Sequence, residues 1–198
     1  MALIEGLSNP ALVADNKFTL GAAVVGGSYT ACRVSSPASS CIGSHYRLCW
    51  AHGIHQGGAN FVVELGTFSM SGPFGTYRID CTLGSICSFT IYGSNLAMTN
   101  RLMIVEEANR CGDAAPVKAS FAGLMNPGIF SSLASDQASA TSRLGKSHAG
   151  RPGAYRLCWG FSPLVDRDYV VDVGVFYFHD LAPGCVAGAF GPTCAAPR

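Results

Sequence analysis

The chain has 198 residues, of which 48% are hydrophobic and 13% are charged, and its formal net charge is +1 at pH 7. No basic face or acidic tail points to nucleic acid or to an anionic membrane surface, and no stretch approaches the ~20 apolar residues of a membrane helix. The 24 glycines and 10 prolines, together with short runs of Val, Ile, Tyr and Phe, predict an all-β protein.

Nine cysteines in a chain poor in Lys and Glu favour an oxidising compartment, and hence an extracellular or cell-surface location. The alternative is a set of buried free thiols. No Cys-x-x-Cys pair occurs, so a zinc ribbon or a thioredoxin-type site is not expected. Residues 1–10 lack the basic start and long apolar stretch of a signal peptide, so we expect a mature or excised piece if the protein is secreted.

Three sequence motifs occur twice, in the same order and at similar spacing. The Tyr-Arg-Leu-Cys-Trp motif recurs identically, and the other two recur in part. Such a series predicts a repeated module of roughly 110 residues. The matching segments are 4–10 with 121–127, 46–50 with 155–159, and 61–68 with 169–176.

The offsets place the boundaries of the predicted modules. Residues 1–72 are the C-terminal part of one module, and residues 73–183 are a full module. Residues 184–198 are the start of a further module or an inter-subunit tail. Strand-built modules in series are typical of extracellular arrays, in which each module contacts mainly its neighbours.

Alternating apolar residues predict half-buried antiparallel strands in the full module. Residues 87–92 place Cys87, Phe89 and Ile91 on one face, and residues 169–176 place Tyr169, Val171, Val173 and Val175 in one row with Phe176 in the other. Residues 128–150 are the least regular stretch, where a short helix is an alternative. We expect the repeated motif to supply core residues in both copies: Tyr46, Leu48 and Trp50, and Tyr155, Leu157 and Trp159.

The Gly-x-Tyr-x-Leu pattern at 153–157 resembles the tyrosine corner of immunoglobulin-like sandwiches. Residues 87–104 resemble the start of an IPT/TIG-type immunoglobulin-like domain, and the whole pattern is similar to tandem Tyr-x-x-Cys-Trp modules of alveolate protist surface proteins. That motif often carries a second cysteine after the tryptophan, where this chain has Ala51 and Gly160. The resemblance implies tandem immunoglobulin-like antiparallel β-sandwich modules at a cell surface, and no chemistry.

The cysteine spacing predicts a partial set of disulfides. Cys32 and Cys41 lie in a segment that is longer in the first copy, so we expect them to bond to each other, and Cys111 is the expected partner of Cys158. Cys49 is then left without a partner. Local Cys81–Cys87 and Cys185–Cys194 loops complete this scheme, and a competing Cys87–Cys158 pairing across the sandwich remains open.

Few residues in the sequence indicate a chemical site. His52 and His55 are candidate metal ligands but have no third ligand nearby, so we expect surface histidines. Asp166, Asp168 and Asp172 suggest calcium, but the first copy does not repeat them. No motif places a catalytic nucleophile or a phosphate loop, so we expect no enzyme activity and no cofactor.

Two matching pairs of opposite charge predict an inter-strand ion pair in each copy: Arg47 with Glu64, and Arg156 with Asp172. The chain contains no Asn-x-Ser/Thr acceptor, so any glycans would be O-linked. We expect a non-catalytic structural protein of an extracellular filament, appendage or surface coat that associates with itself head to tail. The alternative is an adhesin-type ectodomain that binds a ligand or a glycan.

Overall fold

A computed structural model describes residues 13–14, 17–18, 45–50, 63–181, 185–188 and 191–194. These residues form β-strands, connecting loops and one 3-10 turn at Asp166–Asp168. None of them lies in a helix with the length and hydropathy needed to cross a bilayer. The strands are β1 (Val13–Ala14), β2 (Lys17–Phe18), β3 (His45–Trp50), β4 (Val63–Ser69), β5 (Gly72–Pro73), β6 (Tyr77–Thr82), β7 (Ile86–Ser94), β8 (Arg101–Glu106), β9 (Phe121–Leu124), β10 (Gly128–Leu133), β11 (Ser139–Gly150), β12 (Gly153–Gly160), β13 (Val171–His179), β14 (Cys185–Gly188) and β15 (Gly191–Cys194).

Nine strands form one sheet that curls over itself. The strand order is β5-β7-β11-β10-β8-β12-β13-β6, and β9 pairs with the second half of β11. Strand β10 joins two layers, because its first two residues pair with β8 and its later residues Phe130, Ser132 and Leu133 pair with β11. The pairing of β13 with β6 is parallel, whereas the others in this sheet are antiparallel. The predicted all-β fold is thus confirmed.

The hydrophobic core lies between the two layers of this sheet. Burial of apolar side chains is the main favourable term in folding, at about 25 cal/mol per Å² removed from water. Phe121 packs at the centre of an aromatic group, with its ring 5.0 Å from that of Tyr155 and 4.7 Å from that of Phe178. The core residues that are no more than 2% exposed include Ile91, Leu96, Leu102, Ile104, Leu157, Val173, Phe176 and Phe178.

The predicted faces hold for β7 but change part-way along β13. Val171 and Val173 are buried as expected, but Val175 is 36% exposed and Phe176 is fully buried. The cause is a β-bulge, since Leu157 pairs with Gly174 and the next residue, Cys158, pairs with Asp172. The extra residue reverses the alternation, so the prediction that Val175 continues the row of Val171 was wrong.

Residues 128–150 form strands β10 and β11 and no helix, so the helical alternative was wrong. The inward positions of β11 hold small residues, which weakens the hydrophobic pattern. Ala140 and Ser142 are buried together with Leu144, and the Ser142 hydroxyl donates a hydrogen bond to the carbonyl oxygen of Ile129 at 2.9 Å. This bond satisfies the buried hydroxyl and makes serine acceptable inside the sandwich.

The second copy of the Asn-Pro motif has a structural role at the end of β9. The Asn126 side chain accepts a hydrogen bond from the Ile104 amide at 2.9 Å, and it donates to the carbonyl oxygens of Ile104 at 2.7 Å and of Ala119 at 2.9 Å. Phe121 and Leu124 of the same motif lie in the core. The motif therefore attaches one layer to β8 of the other. Residues 4–10, the first copy, lie outside the described residues.

Candidate functional site

The two copies of the Tyr-Arg-Leu-Cys-Trp motif form the first strands of two hairpins that share one pairing pattern. Both hairpins have a bulge at the same place, and the glycine there has a positive φ, +139° at Gly66 and +119° at Gly174. The matching strands expected from the sequence are therefore present. The Cα partners are Tyr46–Phe68, Leu48–Gly66 and Cys49–Glu64 in the first hairpin, and Tyr155–Phe176, Leu157–Gly174 and Cys158–Asp172 in the second.

Each hairpin also contains the ion pair predicted from the sequence. Arg47 lies 3.6 Å from Glu64, and both side chains are largely exposed, so the pair adds little stability. Arg156 pairs with Asp172 and also donates from Nε to the carbonyl oxygen of Asn109 at 2.8 Å. In the second hairpin, the arginine thus holds the loop that follows β8.

Strand β12 is buried on both of its faces. Tyr155, Leu157 and Trp159 face the main core, as predicted, and the Tyr155 hydroxyl donates a hydrogen bond to the carbonyl oxygen of Arg151 at 2.6 Å. The opposite face carries Cys158, which is fully buried in a second cluster with Met103, Val105 and Tyr169. Strand β12 also pairs along both of its edges, with β8 and with β13, so it lies inside its layer.

Two disulfides occur among the described residues. Cys111, in the loop after β8, is bonded to Cys158, which is the pairing expected from the sequence. Cys81 is bonded to Cys87 across the turn between β6 and β7, so the competing pairing of Cys87 with Cys158 is not formed. Cys185 and Cys194 are Cα partners in the β14–β15 hairpin. Cys32 and Cys41 lie outside the described residues.

The first hairpin has a different environment from the second. Trp50 is 41% exposed, in contrast to the expected core position, and Leu48 is half-buried. In the part of the chain that the structure describes, β3 and β4 form a two-stranded sheet, without counterparts of β8 and β6 beside them. Cys49 is a free thiol. The side chain of Tyr46 lies outside the described part.

The three aspartates considered for calcium are engaged separately. Asp166 forms an ion pair with Lys118 at 2.9 Å, and Asp172 pairs with Arg156. Asp168 accepts hydrogen bonds from the amides of Leu164 and Val165 at 2.8 and 3.0 Å. Within the described residues, no three His, Cys, Asp or Glu side chains are grouped to hold a metal. His52 and His55 are not among those residues.

The hydrogen bonds to Asp168 predict a pH dependence of the loop that follows β12. Bonds from the Leu164 and Val165 amides lower the pKa of Asp168 below its usual 3.8, because they stabilise the carboxylate. The stabilisation is therefore present at neutral pH and is lost as the pH falls through the lowered pKa. We expect Asp168→Asn to reduce the difference in loop protection between about pH 6 and about pH 3, measured by hydrogen exchange. An unchanged difference would contradict this role.

An exposed apolar group lies at one end of the sandwich. The loop before β8 and the loop after β12 meet there, where Asn100 donates a side-chain hydrogen bond to the Phe161 carbonyl oxygen and Ser162 bonds Thr99 at 2.9 Å. The large apolar side chains at this end are Met98, Phe161, Leu164 and Val165, with 46%, 52%, 93% and 50% of their surfaces exposed.

The edge strand β6 carries exposed charges. Arg78 bonds Asp80 at 3.1 Å, and Asp80 also bonds His179 of β13 at 2.7 Å. The Arg78 guanidinium lies over the ring of Tyr177, 4.4 Å from its centre. Charged side chains on an edge strand oppose the addition of another strand.

Comparisons with protein-family models, with curated proteins and with solved structures find no match for this chain.

Proposed function

We propose that the protein is a non-catalytic structural component of an extracellular filament, appendage or surface coat. It is built from tandem immunoglobulin-like modules and assembles head to tail. The observation that carries this proposal is the pair of hairpins with the same register, the same bulge and the same ion pair. A repeated element of this detail is typical of proteins made of serial modules.

The strand order of the described residues up to 181 supports an immunoglobulin-like module in the predicted range 73–183. Strands β5, β7 and β11 form one layer, and β8, β12 and β13 form the other, with β6 parallel to β13 at its edge. The Tyr155 hydroxyl, near the start of β12, bonds to a backbone carbonyl four residues upstream, as in a tyrosine corner. Two disulfides suit an oxidising, extracellular location.

The connection between the two units supports a compact array. Strand β4 ends at Ser69 and β5 begins at Gly72, so Met70 and Ser71 are the residues between them. Met70 is only 7% exposed. A two-residue connection cannot act as a flexible spacer, so it would keep successive modules close together.

Electron microscopy of the native material and sedimentation of the purified chain test this proposal. We expect filaments or sheets in native material, and a concentration-dependent series of oligomers in solution. Isolated particles together with a stable monomer would contradict it. If glycans are present, we propose that they are O-linked, because the sequence has no acceptor for N-linked glycans.

The second candidate function is that of an adhesin-type ectodomain that binds a ligand or a glycan. It is favoured by the apolar loop end around Phe161 and Leu164. Loops at one end of a sandwich are a common recognition surface. If this function is correct, Leu164→Ser should abolish binding of the purified chain to cells or to a glycan surface while leaving sedimentation unchanged.

A further inference from the structure

We propose that the β3–β4 hairpin accepts a segment from a neighbouring module of the same kind, which closes a disulfide to Cys49. The segment has the chemistry of residues 77–111, with a β6-type strand that adds parallel to β4 and a cysteine-bearing loop like that of Cys111. This inference rests on the proposed head-to-tail assembly and names its acceptor site and its covalent link. The β12–β13 hairpin shows what such an acceptor binds, because β8 and β6 flank it on its two sides.

The bulge glycines show where the added strand would lie. A Cβ atom on Gly174 would lie 2.1 Å from the carbonyl oxygen of Tyr77, because β6 pairs with β13 beside this glycine. At Gly66, the same backbone conformation recurs, and a Cβ atom would meet nothing within 4 Å. The first hairpin therefore has the backbone shape that receives β6 in the second hairpin, and none of the residues that the structure describes fills the space beside Gly66.

The cysteines give an independent indication of the same partner. Cys158 and Cys49 occupy the same register position, opposite the acidic residue of each ion pair. Cys158 is bonded to Cys111 with a Cα–Cα distance of 5.5 Å, whereas Cys49 is a free thiol. A loop placed against β3 as the Cys111 loop is placed against β12 would bring a cysteine to Cys49.

Two exposed edges could receive a further strand, β6 in the sandwich and β4 in the first hairpin, and each carries paired charges. Strand β6 carries Arg78 and Asp80 on its exposed edge. Strand β4 also presents Val63 and Leu65, which are 44% and 54% exposed. These exposed apolar side chains and the open glycine favour β4 over β6 for pairing with another chain.

The covalent step is a thiol–disulfide exchange with a small disulfide such as oxidised glutathione. The Cys49 thiolate attacks this disulfide and releases one glutathione thiolate, leaving a mixed disulfide on Cys49. The partner cysteine then attacks the Cys49 sulfur and releases the second glutathione. Two protein thiols are oxidised, one glutathione disulfide is reduced to two thiols, and the two protons pass to the leaving thiolates.

The test uses the intact 198-residue chain and a synthetic peptide. The peptide spans residues 73–118 with Cys81→Ser and Cys87→Ser, so Cys111 is its one thiol. In a glutathione redox buffer, we expect it to attach to Cys49 at least tenfold faster than a scrambled peptide with the cysteine at the same position. Non-reduced peptide mapping identifies the linkage. Cys49→Ser should abolish this attachment.

Equal rates for the native and scrambled peptides, or attachment mainly at other cysteines, would overturn the proposal. Gly66→Ala provides a second measurement, because its Cβ would obstruct the β6-type strand. We expect it to slow capture of the native peptide and to leave the scrambled peptide unaffected. Microscopy of native material tests assembly separately. If the peptide is captured efficiently but native material shows no filaments, the proposed function is rejected and the acceptor site at Cys49 is not.

Discussion

Replacing Gly174 with alanine should destabilise the second hairpin far more than the same replacement at Gly66 destabilises the first. Both glycines have a positive φ, so alanine introduces backbone strain of about 1–3 kcal/mol at each position. At Gly174, the added Cβ would also lie 2.1 Å from the Tyr77 carbonyl oxygen and 2.6 Å from its amide nitrogen. Because these are backbone atoms, β6 must move, which adds a cost of about 1–3 kcal/mol or more.

Hydrogen exchange measured by mass spectrometry separates the two hairpins, since peptides covering 63–70 and 171–181 report local opening independently. We expect Gly174→Ala to lower protection in β13 and in β6 together, because the clash displaces both strands. The Gly66→Ala variant is the matched control and should change protection only within β3 and β4. Equal losses in the two hairpins would mean that the contact with Tyr77 does not determine the effect.

Removing the disulfide between Cys111 and Cys158 should cause a large loss in the free energy of unfolding. The Cys111→Ala/Cys158→Ala double variant tests this. The two cysteines are 47 residues apart, and in the loop-entropy treatment closing a loop of this length stabilises the fold by about 4 kcal/mol. Cys158 is fully buried against Met103 and Val105, so alanine there also leaves unfilled space.

The Cys81→Ala/Cys87→Ala variant is the natural comparison, because its cysteines are only six residues apart. The same treatment gives about 2.4 kcal/mol for that shorter loop. Urea unfolding followed by the fluorescence of Trp159, in a Trp50→Phe background, measures both variants. A smaller effect for the longer loop would show that the Cys111 loop remains ordered in the unfolded chain or is strained in the folded one.

The sequence predicted the features that depend on local pattern. Strict alternation from Cys87 to Ile91 gave the buried face of β7, and the comparison of the two copies gave both ion pairs. The Cys111–Cys158 bond was expected because both cysteines belong to the full module and neither has a close neighbour in sequence. These features could be found because each one is determined by residue type at fixed spacing. The parallel pairing of β6 with β13 could not, since it joins strands about 100 residues apart without a motif of its own.

Other errors have a physical cause that sequence pattern does not reveal. The bulge in β13 adds one residue, so every side chain from Val175 onward changes face although the composition stays apolar. Strand β11 was missed because its inward positions include Ala140 and Ser142, whose burial depends on close packing and one hydrogen bond. Trp50 matches Trp159 in sequence but differs in exposure, because burial depends on neighbouring strands and not on the motif itself.

The parallel contact between β6 and β13 also determines how the sandwich would respond to tension. A force applied through β5 and through the C-terminal end of β13 pulls β6 and β13 in opposite directions along their length. The six residue pairs that join β6 to β13 then share the load and must separate together. Once they separate, the Cys111–Cys158 bond still holds 47 residues of chain within a closed loop. These residues cannot extend, so the stretched chain is shorter by about 160 Å than it would be without the bond. The sandwich would therefore resist stretching and would lengthen only a little after it yields.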